Sequence, residues 1–253
     1  PDGTAVPTEK MRIDNAGVVS LTNNLEIPNT SDAATGVITK AGTQFIHNFG
    51  VENLFAGVGA GNVSLVGANQ NTGIGFLALS SLTTGDFNTG VGARALTALT
   101  SGGGNTAVGG NALLANSLGI NNTALGTSAF QSLVTGNSNT AIGFGAGSAP
   151  LATATQCTFL GSAASATADG FTNATAIGFN ATVNASNKVR IGNASVTVIE
   201  GQVAYTFPSD ERIKKNIQES PLGLAFISRI KPIVYEKECG ENCVTEFGFS
   251  AQN

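Results

Sequence analysis

Hydrophobic and polar positions alternate over short stretches along most of the chain, and the same alternation returns every 17 residues. Alternate residues of a strand face opposite sides. The Thr and the aliphatic residue of each repeat therefore face one side, and the Asn and the small residue face the other. The pattern predicts one short β-strand per repeat, in the pentapeptides NTGIG, NTGVG, NTAVG, NTALG and NTAIG that begin at Asn71, Asn88, Asn105, Asn122 and Asn139.

Glycine closes each pentapeptide, and we expect it to turn a corner there because it accepts positive φ and close backbone approach. A unit of 17 residues is too short for a helix pair and fits one coil of a β-solenoid or β-roll, in which coils stack about 4.8 Å apart. Nine aligned glycines predict nine coils and a rod roughly 40 Å long. The most regular of these structural repeat positions are Gly75, Gly92, Gly109, Gly126 and Gly143.

Asn and Thr recur as two columns along the predicted rod, and we expect both columns to form hydrogen-bonded ladders between coils. An alternative is that the Thr column binds an ordered target such as ice. Ice-binding faces generally carry two outward Thr per strand, whereas this pattern supplies one, at Thr72, Thr89, Thr106, Thr123 and Thr140.

Charge is scarce in the repeats and argues against several classes of function. Charged residues make up 11% of the chain, the net charge is −4, and only Asp86 and Arg94 carry charge between Asn53 and Ala168. Such a segment lacks the basic surface that nucleic-acid binding requires, and no apolar run reaches the length of a membrane span. Glycoside hydrolysis generally needs two carboxylates. The repeats offer Asp86 almost alone, which argues against an enzyme. A β-solenoid polysaccharide-degrading enzyme of a tail spike, with Asp86 as its candidate carboxylate, is kept as the alternative function.

The three cysteines leave their own chemistry open. An odd count does not support a disulfide framework, and Cys239 and Cys243 form either a disulfide across a turn or two free thiols. His47 and the three cysteines, which include Cys157, are too few ligands for a metal site. We expect neither a metal nor a cofactor, and the sequence does not identify the residues that bind a partner.

The two ends of the chain differ from the repeats. The stretch from Lys10 to Leu21, KMRIDNAGVVSL, predicts a strand, a turn and a strand. After Val203 the charges return, and Ser220 followed by Pro221 is typical of a helix start. Two strands, IVYEKE and VTEFGFSA, are expected around the Cys-Gly-Glu-Asn-Cys turn. The helix is predicted from the spacing of Leu222, Ala225, Phe226, Arg229 and Ile230, and it ends at Pro232.

The repeat resembles the head repeats of trimeric autotransporter adhesins, and more closely the repeats of bacterial and phage tail-fibre proteins. The stretch from Ala34 to Asn62 is similar to the start of such an array, and the stretch from Asn187 to Val203 is similar to its end. The resemblance implies a parallel homotrimer with small residues packed between the three chains. It also implies a virion tail fibre or an extracellular, cell-surface location.

A second resemblance lies at the C-terminus. SDERIKKNI (Ser209 to Ile217) and FGFSAQ (Phe247 to Gln252) resemble the intramolecular chaperone domain of endosialidase tail spikes. That family trimerises a fibre and then cuts itself off. The resemblance implies that Ser209 is the nucleophile, that Lys214 is its base and that the scissile bond is Pro208–Ser209. Such a dyad acts once per chain, so we expect no multiple-turnover activity.

Together these patterns predict an all-β solenoid with a small, truncated α+β chaperone segment, in a sequence that we interpret as a fragment. We expect a hairpin and connector over 1–50, repeats over 51–201, a linker over 202–208 and a partial chaperone domain over 209–253. The predicted function is attachment of a tail-fibre or adhesin tip to a host receptor or glycan.

Overall fold

A computed structural model describes residues 11–13, 19–21, 37–201, 230–236 and 245–251. The chain divides into two compact units, Pro1–Val198 and Ile199–Asn253. In the described residues every regular element is a β-strand, so the all-β prediction is confirmed for this part of the chain.

The first unit opens with antiparallel strands. β1 (Met11–Ile13) pairs with β2 (Val19–Leu21), as the sequence predicts for this stretch. Strands β3 (Ile38–Lys40) and β4 (Thr43–His47) then form an antiparallel pair, and β4 pairs antiparallel with β5 (Leu54–Ala56). This antiparallel pair forms the N-terminal end of an 11-stranded sheet.

The rest of that sheet is parallel and in register. Thr72 pairs with Thr89 and Thr89 with Thr106, so each coil advances the chain by one repeat. Leaving β3 and β4 out of the 11 strands gives nine parallel strands, which are joined by eight coils rather than the nine predicted. After β5 these strands are β6 (Thr72–Ile74), β7 (Thr89–Val91), β8 (Thr106–Val108), β9 (Thr123–Leu125), β10 (Thr140–Ile142), β11 (Thr158–Leu160), β13 (Ala174–Ile177) and β15 (Lys188–Ile191).

A second wall of the solenoid is formed near its C-terminal end. There β12 (Ser165–Ala166) pairs in parallel with β14 (Thr182–Val183). Elsewhere this wall is built from turns whose amides donate to carbonyls of the following coil, as Leu96 donates to Ala112. The backbone groups are therefore satisfied between coils even where no strand is formed.

The core is built from small residues and leucines stacked in columns. Ala107, Ala112 and Leu113 of one coil are fully buried, and their counterparts in neighbouring coils are buried with them. The small residues of the repeat are thus used inside one chain.

The corner glycines are required for two independent reasons. Gly109 has a φ of +134°, which side-chain-bearing residues rarely adopt. A Cβ at this position would also lie 2.6 Å from the carbonyl carbon of Gly126 in the next coil. The same φ and the same contact recur along the column, so coils stack closely only where the side chain is absent.

Other corners are turned by residues with side chains, which the sequence did not predict. Asn111, Leu113 and Asn121 have φ values of 59°, 49° and 56°. Left-handed φ costs roughly 1–2 kcal/mol for an ordinary residue. At Leu113 tight packing between coils compensates for this cost, because its side chain belongs to the buried Leu column.

The second unit is described only as a hairpin. β16 (Ile230–Glu236) pairs antiparallel with β17 (Thr245–Ala251), so two strands lie where they were predicted. Assigning Ile230 to a helix that ends at Pro232 was wrong, because both residues lie within β16. Each strand of a two-stranded sheet has one unpaired edge, where Pro sacrifices no ladder bond. The rest of the predicted helix lies outside the described residues.

Candidate functional site

The outward side chains of the nine parallel strands form one continuous surface, which we name the outer strand face. Each central strand contributes one Thr and one aliphatic residue to it, and neither is charged. Ile74 is 40% exposed and Leu125 is 47% exposed, so the aliphatic column is not covered by this chain. Nine strands spaced about 4.8 Å apart extend this face over roughly 40 Å.

The Thr hydroxyls of the outer strand face have no hydrogen-bond partner within the described part of the solenoid. In residues 37–201 the Thr side chains of this column make no hydrogen bond, so the expected ladder of Thr hydroxyls was wrong here. Thr83 and Thr100, on another wall, do donate to carbonyls of the following coil, at 2.8 and 3.1 Å. The outer strand face thus presents one hydroxyl column beside one aliphatic column.

The Asn column points inward and forms the hydrogen-bonded ladder that the repeat predicts. The Asn88 Oδ1 atom accepts from the backbone N–H of Asn105 at 3.0 Å and from its Nδ2 at 3.0 Å. The Asn105 Nδ2 also donates to the Gly119 carbonyl at 2.8 Å. The pattern recurs from Asn53 to Asn139, and all six Asn side chains are buried. The column is therefore a structural element of the interior and is inaccessible to a ligand.

The ladder ends at Cys157. The Cys157 backbone N–H still donates to Asn139 Oδ1 at 2.9 Å, whereas its Sγ contacts the Phe171 carbonyl at 3.2 Å. Burial raises the pKa of the Cys157 thiol, although hydrogen bonds to the backbone of Ala174 and Thr155 oppose the shift. A buried neutral thiol is a poor nucleophile, so Cys157 belongs to the core.

Asp86, the candidate carboxylate of an enzyme, and two other acidic residues of the first unit are engaged in local structural contacts. Asp86 Oδ1 accepts the backbone N–H of Asn69 at 2.7 Å, and Glu52 Oε2 accepts from Gln70 at 2.8 Å. Asp169 accepts from both the backbone and the hydroxyl of Thr153. Burial alone would raise the pKa of Asp169, but the hydrogen bonds from Thr153, Gly170 and Ala152 lower it overall.

His47 lies at the N-terminal end of the solenoid and is buried. Its Nε2 lies 2.7 Å from the Ala60 carbonyl, and its ring packs on Phe55 with centroids 5.0 Å apart. Burial lowers the pKa of His47, partly offset by the bond to Ala60. The imidazole is a neutral packing group that fixes β4 against the first coil.

Several predicted residues lie outside the described part of the chain. Ser209, Lys214, Cys239 and Cys243 are among them, so the predicted dyad and the cysteine pair stay predictions. Within the described ranges, no group of three or more His, Cys, Asp and Glu side chains is arranged to hold a metal ion. The same ranges contain no helix with the length and hydropathy needed to cross a bilayer.

Comparison with known proteins gives a match at the C-terminal end of the chain. Neither the curated proteins nor the solved structures include a match to this chain. Residues 209–253 match the family described as the chaperone of endosialidase. This C-terminal segment is thus similar to a chaperone domain, and the solenoid lies outside the matched range.

Proposed function

We propose that the chain forms the rod of a homotrimeric fibre that attaches to a host cell or surface, in a virion tail fibre or an extracellular adhesin. The observation that carries the proposal is the outer strand face. It is uncharged, continuous along the parallel sheet, and lined by aliphatic side chains that the chain itself leaves exposed. A continuous exposed apolar surface of this kind marks an interaction site.

We propose that the outer strand face is buried between three copies of the same chain. In a parallel assembly each coil lies beside the same coil of its neighbours, so an uninterrupted column meets an identical column. Non-local pairing of this kind is slow to align. The segment matching the chaperone of endosialidase family supplies the element that would set the register of three chains before the rod folds.

A matched pair of leucines tests the assembly. Leu125 lies on the outer strand face and is 47% exposed, whereas Leu118 lies on another wall and is 54% exposed. We expect Leu125→Lys to dissociate the trimer because it places a charge in the apolar interface, and Leu118→Lys to leave it intact. Light scattering coupled to size-exclusion chromatography measures both masses. A trimer that tolerates both substitutions would refute the assignment of this face.

We further propose that the chaperone segment is released by a single self-cleavage. The Ser209 hydroxyl attacks the Pro208 carbonyl while Lys214 takes its proton, the peptide C–N bond breaks, and the Ser209 nitrogen leaves as an amine. Water then hydrolyses the ester and leaves a carboxylate on Pro208. Intact-mass spectrometry of the full-length protein should show cleavage that Ser209→Ala abolishes. Equal fragmentation of both proteins would remove the dyad assignment.

Attachment itself is tested with the intact trimer. We expect the fluorescently labelled fibre to bind host cells saturably and to compete with unlabelled fibre. Absence of saturable binding to any cell or surface glycan would refute the attachment role while leaving the trimeric rod in place.

A further inference from the structure

In β15, the last strand of the solenoid, the residues at both inward positions differ in type from those of the central coils. Lys188 pairs with Ala174 and Arg190 pairs with Ala176, so the two cations take over the columns that carry Asn and a small residue in the central coils. Ala174 and Ala176 are fully buried, whereas Lys188 and Arg190 are exposed. The solenoid therefore ends in a positively charged, solvent-facing cross-section.

A groove with a volume of about 400 Å³ opens at this end. Its lining consists of amide, hydroxyl and guanidinium groups with one small apolar residue, and it contains no carboxylate. The groove is lined by Asn180, Thr182, Arg190, Asn193, Ala194 and Ser195.

Two of these side chains are held in place by the backbone. Arg190 donates its Nε–H to the Gly192 carbonyl at 2.8 Å, and its remaining N–H groups have no acceptor among residues 37–201. Asn193 donates to the Phe179 carbonyl and accepts from the Ser195 N–H, both at 2.9 Å. One hydrogen bond thus orients a guanidinium whose other donors are unpaired within residues 37–201, and this orientation reduces the entropy lost on binding.

We propose that this groove binds a carboxylate of an acidic polysaccharide. Arg is the side chain best suited to hold a carboxylate, because its planar N–H groups match the two oxygens. Amides and hydroxyls around it offer both donors and acceptors to sugar hydroxyls.

The proposal rests on the attachment function proposed above and deepens it by naming the chemical class of the ligand. The competing explanation is structural, because inward-pointing charge on a terminal strand also prevents edge-to-edge association of sheets. That role needs charge at the edge but no free guanidinium donors in a polar groove. The two explanations predict different results for the same variant.

The experiment uses the full-length trimer on an array of uronic-acid oligosaccharides, each printed beside its carboxyl-reduced neutral counterpart. We expect binding to the acidic members only, with an affinity that falls as salt is raised. Arg190→Gln should weaken this binding at least tenfold. Arg94→Gln is the matched control, because Arg94 is an exposed arginine in a central coil, and it should leave the affinity unchanged.

Three results would overturn the inference. The first is equal binding to acidic and reduced oligosaccharides, and the second is unchanged affinity after Arg190→Gln. The third is an Arg190→Gln protein that associates end to end, seen by light scattering, while keeping its glycan affinity. If the trimer binds cells but shows no preference for uronates, this inference fails and the attachment function stands.

Discussion

In the central coils the ladder position is Asn in every repeat, whereas in the last three parallel strands it is Cys157, then Ala174, then Lys188. Each buried amide is satisfied by the coils on both sides, since each Oδ1 accepts from the next coil and each Nδ2 donates to the previous one. A coil at the end lacks one neighbour, and an Asn there would be left partly unsatisfied at a cost of about 1–3 kcal/mol. Stacked identical coils therefore keep a polar interior fully hydrogen-bonded. The last coils carry other residues at the ladder position.

The largest expected effect comes from the corner glycines, which also differ between the two regions. A Cβ on Gly109 would meet the backbone of Gly126, which is packed between coils, whereas a Cβ on Gly192 would meet the side chain of Val196, which is 47% exposed. We expect Gly109→Ala to lower the free energy of unfolding by about 4 kcal/mol, from backbone strain and overpacking together.

Urea denaturation of the purified protein measures this change. Gly192→Ala should cost clearly less. Gly110→Ala is the neighbouring control, because its nearest non-local atom is 3.9 Å away and its φ is ordinary, and it should cost nothing. If all three variants unfold at the same urea concentration, the close stacking of the central corners is not what holds the coils.

A smaller loss is expected from interrupting the ladder. Asn105→Ala removes the acceptor of the Asn122 N–H and the donor to the Gly119 carbonyl, and both groups stay buried. Two unsatisfied buried groups should cost about 3 kcal/mol. Leu118→Gln is the control, since the Leu118 side chain is exposed and lies on another wall. Its unfolding midpoint, measured by the same titration, should match that of the wild type, and a ladder variant as stable as this control would contradict the assigned role.

Much of the solenoid could be predicted because its determinants are local and repeated. The spacing of NTAVG and its variants gives the strand, its register and the inward Asn, since every coil has the same surroundings as the next. The position of Gly109 follows from the same repetition.

What could not be predicted depends on contacts that no single repeat encodes. The left-handed φ of Leu113 gives no signal in composition, because leucine rarely adopts it and does so here only under packing from neighbouring coils. The Thr column was expected to form bonds that its outward direction prevents. Arg190 was missed because the register of the last strand, 14 residues after the previous one, is what places it in an inward column.

A gain of stability is expected where the ladder stops one coil early. Cys157→Asn places an Nδ2 near the Phe171 carbonyl, in the position that Asn139 uses toward Ala154. We expect a stabilisation of about 1 kcal/mol, the net value of a hydrogen bond. Cys157→Ala serves as the comparison and should lose stability through the lost packing. An Asn variant less stable than the Ala variant would show that the ladder ends at Cys157 because the following coil cannot accept an amide.

The smallest effect separates the N-terminal end, where a buried imidazole titrates, from the Asn ladder of the central coils, which does not titrate. Burial holds the pKa of His47 below its usual value, so the unfolded chain binds a proton more readily than the folded one. The contribution to stability is complete above the unfolded pKa of about 6.5 and declines as the pH falls below it. His47→Gln keeps a neutral donor for the Ala60 carbonyl and should remove this slope. The melting temperature of the wild type is therefore expected to fall more steeply between pH 7.5 and 5 than that of the variant. Parallel curves would mean that acid acts on other groups, because Asn105 and its counterparts carry no charge at any of these pH values.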